Sequence, residues 1–111
     1  MPTKVDRLLQ GEVEGVLGGG IRRNSPHLTL VYKKAQGENR GKNSRFTVVV
    51  SKKTAPLATK RNSIKRRIRP LARTLLSSST PYDVVFFAKT GVEKLSPQKL
   101  KEEIENLLSF K

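Results

Sequence analysis

The stretch from Lys60 to Leu75 constrains this chain more than any other, because only a helix reconciles its apolar and cationic residues. At about 100° per residue, Ile64, Ile68, Leu71 and Leu75 fall on one narrow stripe, spaced four, three and four. Asn62, Lys65, Arg66, Arg69 and Arg73 fall on the opposite side. Such a helix docks one face on a core and presents guanidinium and ammonium groups on the other. Arg offers planar forks that match phosphate oxygens, and Lys offers mobile point charges. A merely solvated helix face mixes both signs, whereas this one carries no acid. Pro70 lies inside the pattern. It removes the hydrogen bond to the Arg66 carbonyl and disfavours helical geometry at Arg69, at roughly 3 kcal/mol. The stripe still continues through Leu71 and Leu75, so the sequence predicts a kink and not a stop, in a helix capped by Thr54 and running to about Leu76.

The charge is concentrated around this helix. Lys and Arg number 23 against 9 Asp and Glu in 111 residues, a formal net charge of +14. Between Gly15 and Val92 there are 17 basic residues and only two acids, Glu38 and Asp83, while the tail from Glu93 onward is balanced. Self-repulsion on this scale disfavours a compact state until a polyanion relieves it, so nucleic acid is the expected partner, ahead of an acidic membrane surface. The chain has no Cys, which excludes disulfides, thiolate metal sites and thiol chemistry. No apolar run approaches the ~18 residues of a membrane span, and Met1 to Asp6 does not read as a signal peptide. A soluble, cytoplasmic protein that is monomeric in isolation is expected, folded as a single domain over residues 1–111.

Periodicity places the remaining elements. Val5, Leu8, Leu9, Val13, Val16 and Leu17 recur at helical spacing, weakened by Gly11 and Gly15 and ended by Gly18 to Gly20. Ile21 to Arg23 reads as a short edge strand, followed by a turn at Asn24, Ser25 and Pro26. Leu28 to Lys33 is a strand with Leu28, Leu30 and Tyr32 on one face, and Phe46 to Val50 is another. The polar segment from Gln36 to Ser44 between them reads as a mobile connection, and Ser77 to Pro81 as a loop. Val84 to Ala88 is apolar throughout, as in a central strand covered on both sides. Ser96 and Pro97 open a final helix whose buried stripe is Leu100, Ile104, Leu107 and Leu108. The order α-β-β-β-α-β-α predicts an α+β two-layer sandwich of about four strands.

Ser51, Lys52 and Lys53, then Ala58 followed by Lys60, Arg61 and Asn62, then Lys65, Arg66 and Arg69, resemble the signature of the bacterial ribonuclease P protein subunit. The resemblance covers essentially the whole chain, most firmly from Arg45 onward. It implies a left-handed strand-helix-strand crossover around the basic helix, where patterning alone favours the right-handed one. It also implies an accessory role in a ribonucleoprotein enzyme that matures the 5′ end of transfer RNA. A large RNA there performs the endonucleolytic hydrolysis with magnesium that it holds itself, and the polypeptide holds none. The partners implied are that catalytic RNA and precursor tRNA. Lys60, Arg61, Asn62, Lys65, Arg66, Arg69 and Arg73 would face RNA, with Lys52 and Lys53 on RNA or leader phosphates. Val13, Leu17 and Val31 stand where the family usually has aromatics beside the 5′ leader. His27 at a strand entrance, with Thr47 and Ser51 on the cleft-lining strand, completes that set. Ser63 replaces a usual basic residue, and Pro70 a usual acid or amide.

Nothing in the chain reads as a catalytic site of its own. Acid–base or two-metal hydrolysis needs converging His, Asp or Glu groups. Asp83 is isolated in sequence, and Glu102, Glu103 and Glu105 lie among lysines on the expected exposed side of the last helix. Gly18 to Gly20 lacks the Lys and Ser or Thr of a phosphate loop. Tyr32 and Phe46 read as core before they read as stacking platforms, and so do Phe86 and Phe87. A non-catalytic structural RNA-binding protein, such as a small ribosomal protein, explains the charge equally well but not the combined signature. A helix-turn-helix DNA binder fits less well, because strands flank the basic helix.

Overall fold

A computed structural model describes residues 6–7, 10–34, 44–76 and 82–109. The elements are β1 (Asp6–Arg7), α1 (Gln10–Gly19), β2 (Ile21–Asn24), β3 (Leu28–Lys34), β4 (Arg45–Val49), α2 (Ala58–Leu76), β5 (Tyr82–Ala88), a 3-10 turn (Val92–Lys94) and α3 (Pro97–Leu107). The strands form one mixed sheet in the order β1-β4-β5-β3-β2. β5 is central, parallel to β4 (Phe46 opposite Val84, Val48 opposite Phe86) and antiparallel to β3 (Leu30 opposite Phe86, Val31 opposite Val85). The expected α+β sandwich is therefore present, its four main strands joined by the two-residue β1 against β4.

Alternation along the strands decides which residues meet which helix. Leu28, Leu30, Phe46, Val48, Val84 and Phe86 point to one face, where the apolar sides of α2 and α3 cover them. Val31, Val85 and half-buried Val49 and Phe87 point to the other face, where α1 adds Val16 and Val13. Val84, Val85 and Phe86 have no exposed surface, as a central strand covered on both sides requires. Tyr32 packs edge-on against Tyr82 with centroids 6.0 Å apart, and Phe46 against Phe86 at 6.3 Å. These rings are packing elements and not platforms.

Several boundaries differ from the sequence reading, each for a local reason. The first helix begins at Gln10 and not Val5, because Asp6 and Arg7 pair their backbone with the edge of β4. An unpaired strand edge competes with a marginal, glycine-weakened helix turn for those residues. The basic helix begins at Ala58 and not after Thr54. Thr54 instead accepts a turn: its N–H donates to Ser51 Oγ at 3.2 Å, and its hydroxyl donates to the Ala88 carbonyl at 3.3 Å. That hydroxyl ties the turn after β4 to the end of β5, four residues before the helix begins. The buried row on α2 is Ile64, Ile68, Ala72 and Leu76, with Leu71 and Leu75 half-buried beside it. A strict four-residue row is inclined to the helix axis, so it drifts off the narrower stripe read from the sequence. The helix runs unbroken through Pro70, which is exposed. The connection read from Gln36 and the loop read from Ser77 to Pro81 lie outside the described residues, apart from Ser44, as do Val5, Leu8 and Leu9.

Two glycines are required by geometry. A Cβ at Gly20 would lie 2.8 Å from the Tyr32 carbonyl oxygen and 2.9 Å from Val31 Cγ1, so only glycine lets α1 turn directly into β2. Gly91 has φ of 96°, in the left-handed region that opens the 3-10 turn. The last helix matches expectation: Lys99 N–H donates to Ser96 Oγ at 3.2 Å, Pro97 occupies the first turn, and Leu100, Ile104 and Leu107 are buried.

One polar cluster locks α3 to the β2–β3 turn. Glu103 Oε2 accepts from Ser25 Oγ at 2.6 Å and from the His27 backbone N–H at 2.9 Å, and Oε1 lies 3.0 Å from His27 Nδ1. A carboxylate can only accept, so His27 carries its proton on Nδ1. Burial pushes the Glu103 pKa up, but the hydrogen bonds from Ser25 and His27 and the charge of His27 outweigh it, and the net shift is downward. A carboxyl group with a lowered folded-state pKa stabilises the fold above its unfolded pKa and loses that contribution as pH falls through the folded value. Denaturant unfolding followed from pH 7 to pH 3 should show this acid-side loss. Glu103→Gln should lower neutral stability by about 1–3 kcal/mol and flatten the acid slope; equal stability and equal slope would refute the lock. Pro70→Ala should raise stability by about 1–3 kcal/mol, seen as a higher Tm, since the helix already passes through the site. A lower Tm would mean that the proline geometry itself is needed.

Candidate nucleic-acid interface

Because α2 is fixed to the sheet by Ile64, Ile68, Ala72 and Leu76, the side chains about 100–200° round the helix from Ile64 face outward. These are Asn62, Lys65, Arg66, Arg69 and Arg73, five of the seven α2 residues expected to face RNA, Lys60 and Arg61 being the others. Asn62, Arg66, Arg69 and Arg73 are exposed and Lys65 is half-buried. None of the five side chains enters a hydrogen bond or ion pair with another described residue. Lys60 on the first turn, and Lys52 and Lys53 in the turn after β4, are likewise exposed and unengaged among the described residues. The result is a ridge of outward-facing cations whose charge no acid among the described residues offsets by an ion pair. A flexible or extended polyanion can exchange counterions along it without breaking any contact of the fold.

Arg61 differs from its neighbours. Its Nη1 donates to the carbonyls of Ala55 and Pro56, both at 2.9 Å, so this guanidinium fastens the entry segment to α2. It is half-buried and faces the chain's own backbone. Arg67, outside the expected set, does the same on the other flank, donating to the carbonyls of Glu93, at 3.0 Å, and Leu95.

The expected leader-side residues divide into two groups. Val13, Val31 and Thr47 share the α1 side of the sheet, Val31 opposite Val85 on β3 and Thr47 opposite Val85 on β4. Leu17 on α1 is 42 % exposed. Ser51 and His27 do not join them. Ser51 accepts from Thr54 in the turn after β4, and His27 is committed to Glu103 of α3. Three neighbours on the α1 side escaped the sequence reading. Phe87 is half-buried there beside Val49, and exposed Arg22 lies across from Val31 on the edge strand. Lys33, half-buried, lies across from Asp83. Strict alternation would have separated Phe86 from Phe87; the uninterrupted apolar run concealed it.

Besides Glu103, three acids have structural partners. Asp83, isolated in sequence, is buried and forms an ion pair with Arg45, Nε to Oδ1 at 3.5 Å. Glu102 accepts from Gln98 at 3.2 Å, and Glu105 pairs with Lys101 at 3.9 Å on the exposed side of α3. Each faces a different partner, and none converges on another.

Comparison with known proteins agrees with this geometry. A family model described as Ribonuclease P matches residues 6–110. Proteins named ribonuclease P protein component align from Synechococcus (30 % identity over 81 % of this chain and 68 % of that protein) and Haemophilus influenzae (33 % over 78 % and 70 %). The one from Psychrobacter is 36 % identical over 60 % of this chain, a match spanning 51 % of that relative's length. The solved ribonuclease P protein of Thermotoga maritima superposes with a TM-score of 0.78 at 22 % identity, covering 96 % of this chain and 97 % of that one. That of Staphylococcus aureus gives 0.77 at 18 %, covering 93 % and 91 %. The solved structures agree on the fold, and the family model spans nearly the whole sequence: the chain belongs to the ribonuclease P protein family.

Proposed function

We propose that this chain is the protein component of a ribonuclease P holoenzyme. It binds the catalytic RNA and the 5′ leader of precursor tRNA and promotes endonucleolytic removal of that leader. The observation that carries this reading is the α2 ridge, where Asn62, Lys65, Arg66, Arg69 and Arg73 meet no partner among the described residues, in a chain of this family. Phosphate contacts from such a ridge fix position more than sequence, so the RNA is recognised by its shape. Lys52, Lys53 and Lys60 extend the cationic surface around the start of α2. The leader lies on the α1 side of the sheet, along Val13, Leu17, Val31 and Thr47, with Phe87 offering a π-face that the α1 residues lack.

The polypeptide contributes binding and not bond cleavage. Among the described residues, Asp83, Glu102, Glu103 and Glu105 each face a separate partner, which supports this division of labour. The magnesium that hydrolysis requires is held by the RNA in this reading, and it supplies the charge stabilisation at the phosphodiester.

Added to a bacterial ribonuclease P RNA at low magnesium, the protein should restore removal of a precursor tRNA leader, and protein alone should cleave nothing. Cleavage by purified protein that survives digestion of all RNA would end this reading. Failure to rescue its own organism's RNA would instead favour a purely structural RNA-binding role. Arg66→Ala combined with Arg69→Ala should weaken RNA binding and lower the slope of log affinity against log salt by about two, with Tm unchanged. Arg61→Ala should behave differently, lowering stability by about 1–2 kcal/mol through two lost carbonyl contacts. Equal effects of the two variants on Tm would contradict the division of labour seen on α2.

A further inference from the structure

Where α2 begins, the β4–α2 segment, the first turns of the helix and the 3-10 turn line an open-mouthed cavity of about 550 Å³. That volume lies within the range of sites for small organic ligands. Ala55 and Ile64, both nearly fully buried, give it an apolar floor, and Leu57 at its edge is 62 % exposed. Its walls are braced before any ligand arrives. Arg61 fastens the Ala55–Pro56 side through two carbonyl contacts, and Arg67 fastens the Glu93–Leu95 side through two more. A braced cavity binds without the cost of ordering its own walls.

The cavity adjoins the cationic ridge. Lys60, Ser63 and Arg67 lie on one flank of α2, and Ser63 stands on the helix surface between that flank and Arg66. Ser63 is a short, exposed side chain among those that line the cavity, so a long side chain here is the means of filling it.

Resting on the RNA-docking reading above, we propose that this cavity takes one unpaired nucleotide of the RNA docked on α2. The base lies on Ala55, Leu57 and Ile64, and its phosphate meets Lys60 at the rim. Glu93 lines the cavity with a carboxylate that meets no described partner. It repels phosphate and accepts from base N–H groups, so the base and not the phosphate faces it. Single-stranded RNA offers such unstacked bases, and apolar or aromatic surfaces are where proteins receive them.

The test separates the cavity from the ridge. Isotope-labelled protein titrated with adenosine 5′-monophosphate should show saturable shifts at the amides of Ala55, Leu57 and Ile64, with a Kd of about 1 mM. Inorganic phosphate should not produce them. Ser63→Arg should abolish those shifts, and should weaken binding to ribonuclease P RNA about tenfold although it adds a positive charge. Thr59→Arg, an exposed position on the same helix, should tighten RNA binding and raise its salt slope by about one. If Ser63→Arg tightens binding as Thr59→Arg does, or if the nucleotide shifts track Arg66 and Arg69 instead of the cavity, the proposal is overturned. The nucleotide titration contains no RNA. A filled cavity alongside unchanged RNA affinity of Arg66→Ala/Arg69→Ala would therefore overturn the docking reading, and with it the source of the nucleotide.

Discussion

The structure depends on one seam, the inclined row Ile64, Ile68, Ala72 and Leu76 of α2 lying on the sheet beside α3. Every cation on this helix has to live somewhere, and the seam decides where. Burying Ile64, Ile68 and Leu76 contributes about 1.5–3 kcal/mol each. That sum exceeds the roughly 3 kcal/mol that Pro70 costs inside a helix, which is why α2 persists to Leu76. Ala72 at the third position keeps the row low enough for close approach to the sheet. With that side committed, the opposite side has no core to enter, and its charges stay hydrated and available.

The sheet supplies the second constraint. β5 lies between β4 and β3 and is covered from both directions, so its alternate residues feed two separate apolar clusters. The cluster under α2 and α3 is large and closes fully. Among the described residues the one under α1 holds only Val16, Val31 and Val85 as buried members, with Val13, Val49 and Phe87 partly buried at its rim. One short helix cannot cover a five-stranded sheet. Among the described residues the remainder is a partly exposed apolar surface edged by Arg22 and Lys33, the face proposed for the leader.

Legibility followed the strength of the physical signal at each element. β3, β4, β5 and α3 were readable because alternation, β-branched content and a Ser–Pro helix start all agree locally. The α2 face was readable because cations and aliphatics segregate at helical spacing. The start of α1 was not, since pairing of Asp6 and Arg7 with β4 depends on a strand almost forty residues away. Thr54 was misread for a similar reason: its hydroxyl partner is the Ala88 carbonyl, which no local pattern reveals. The Ser25–His27–Glu103 lock joins residues more than seventy positions apart and left no trace in either segment.

The arginines of α2 carry the sharpest lesson, because their chemistry is identical and their fates are not. Arg66, Arg69 and Arg73 lie about 140–200° round from Ile64 and meet no carbonyl or acid among the described residues. Arg61 and Arg67 lie about 60° to either side of Ile64, where the helix meets its neighbours. There the long apolar stem can follow the protein surface while the guanidinium reaches the backbone of the entry segment or of the 3-10 turn. A motif written as a run of basic residues merges these two populations. Angular distance from the buried row separates them: flanking arginines build the frame, and opposing arginines use it. Under the proposed reading, removing a flanking one costs fold stability first, whereas removing an opposing one weakens RNA binding and leaves the fold intact.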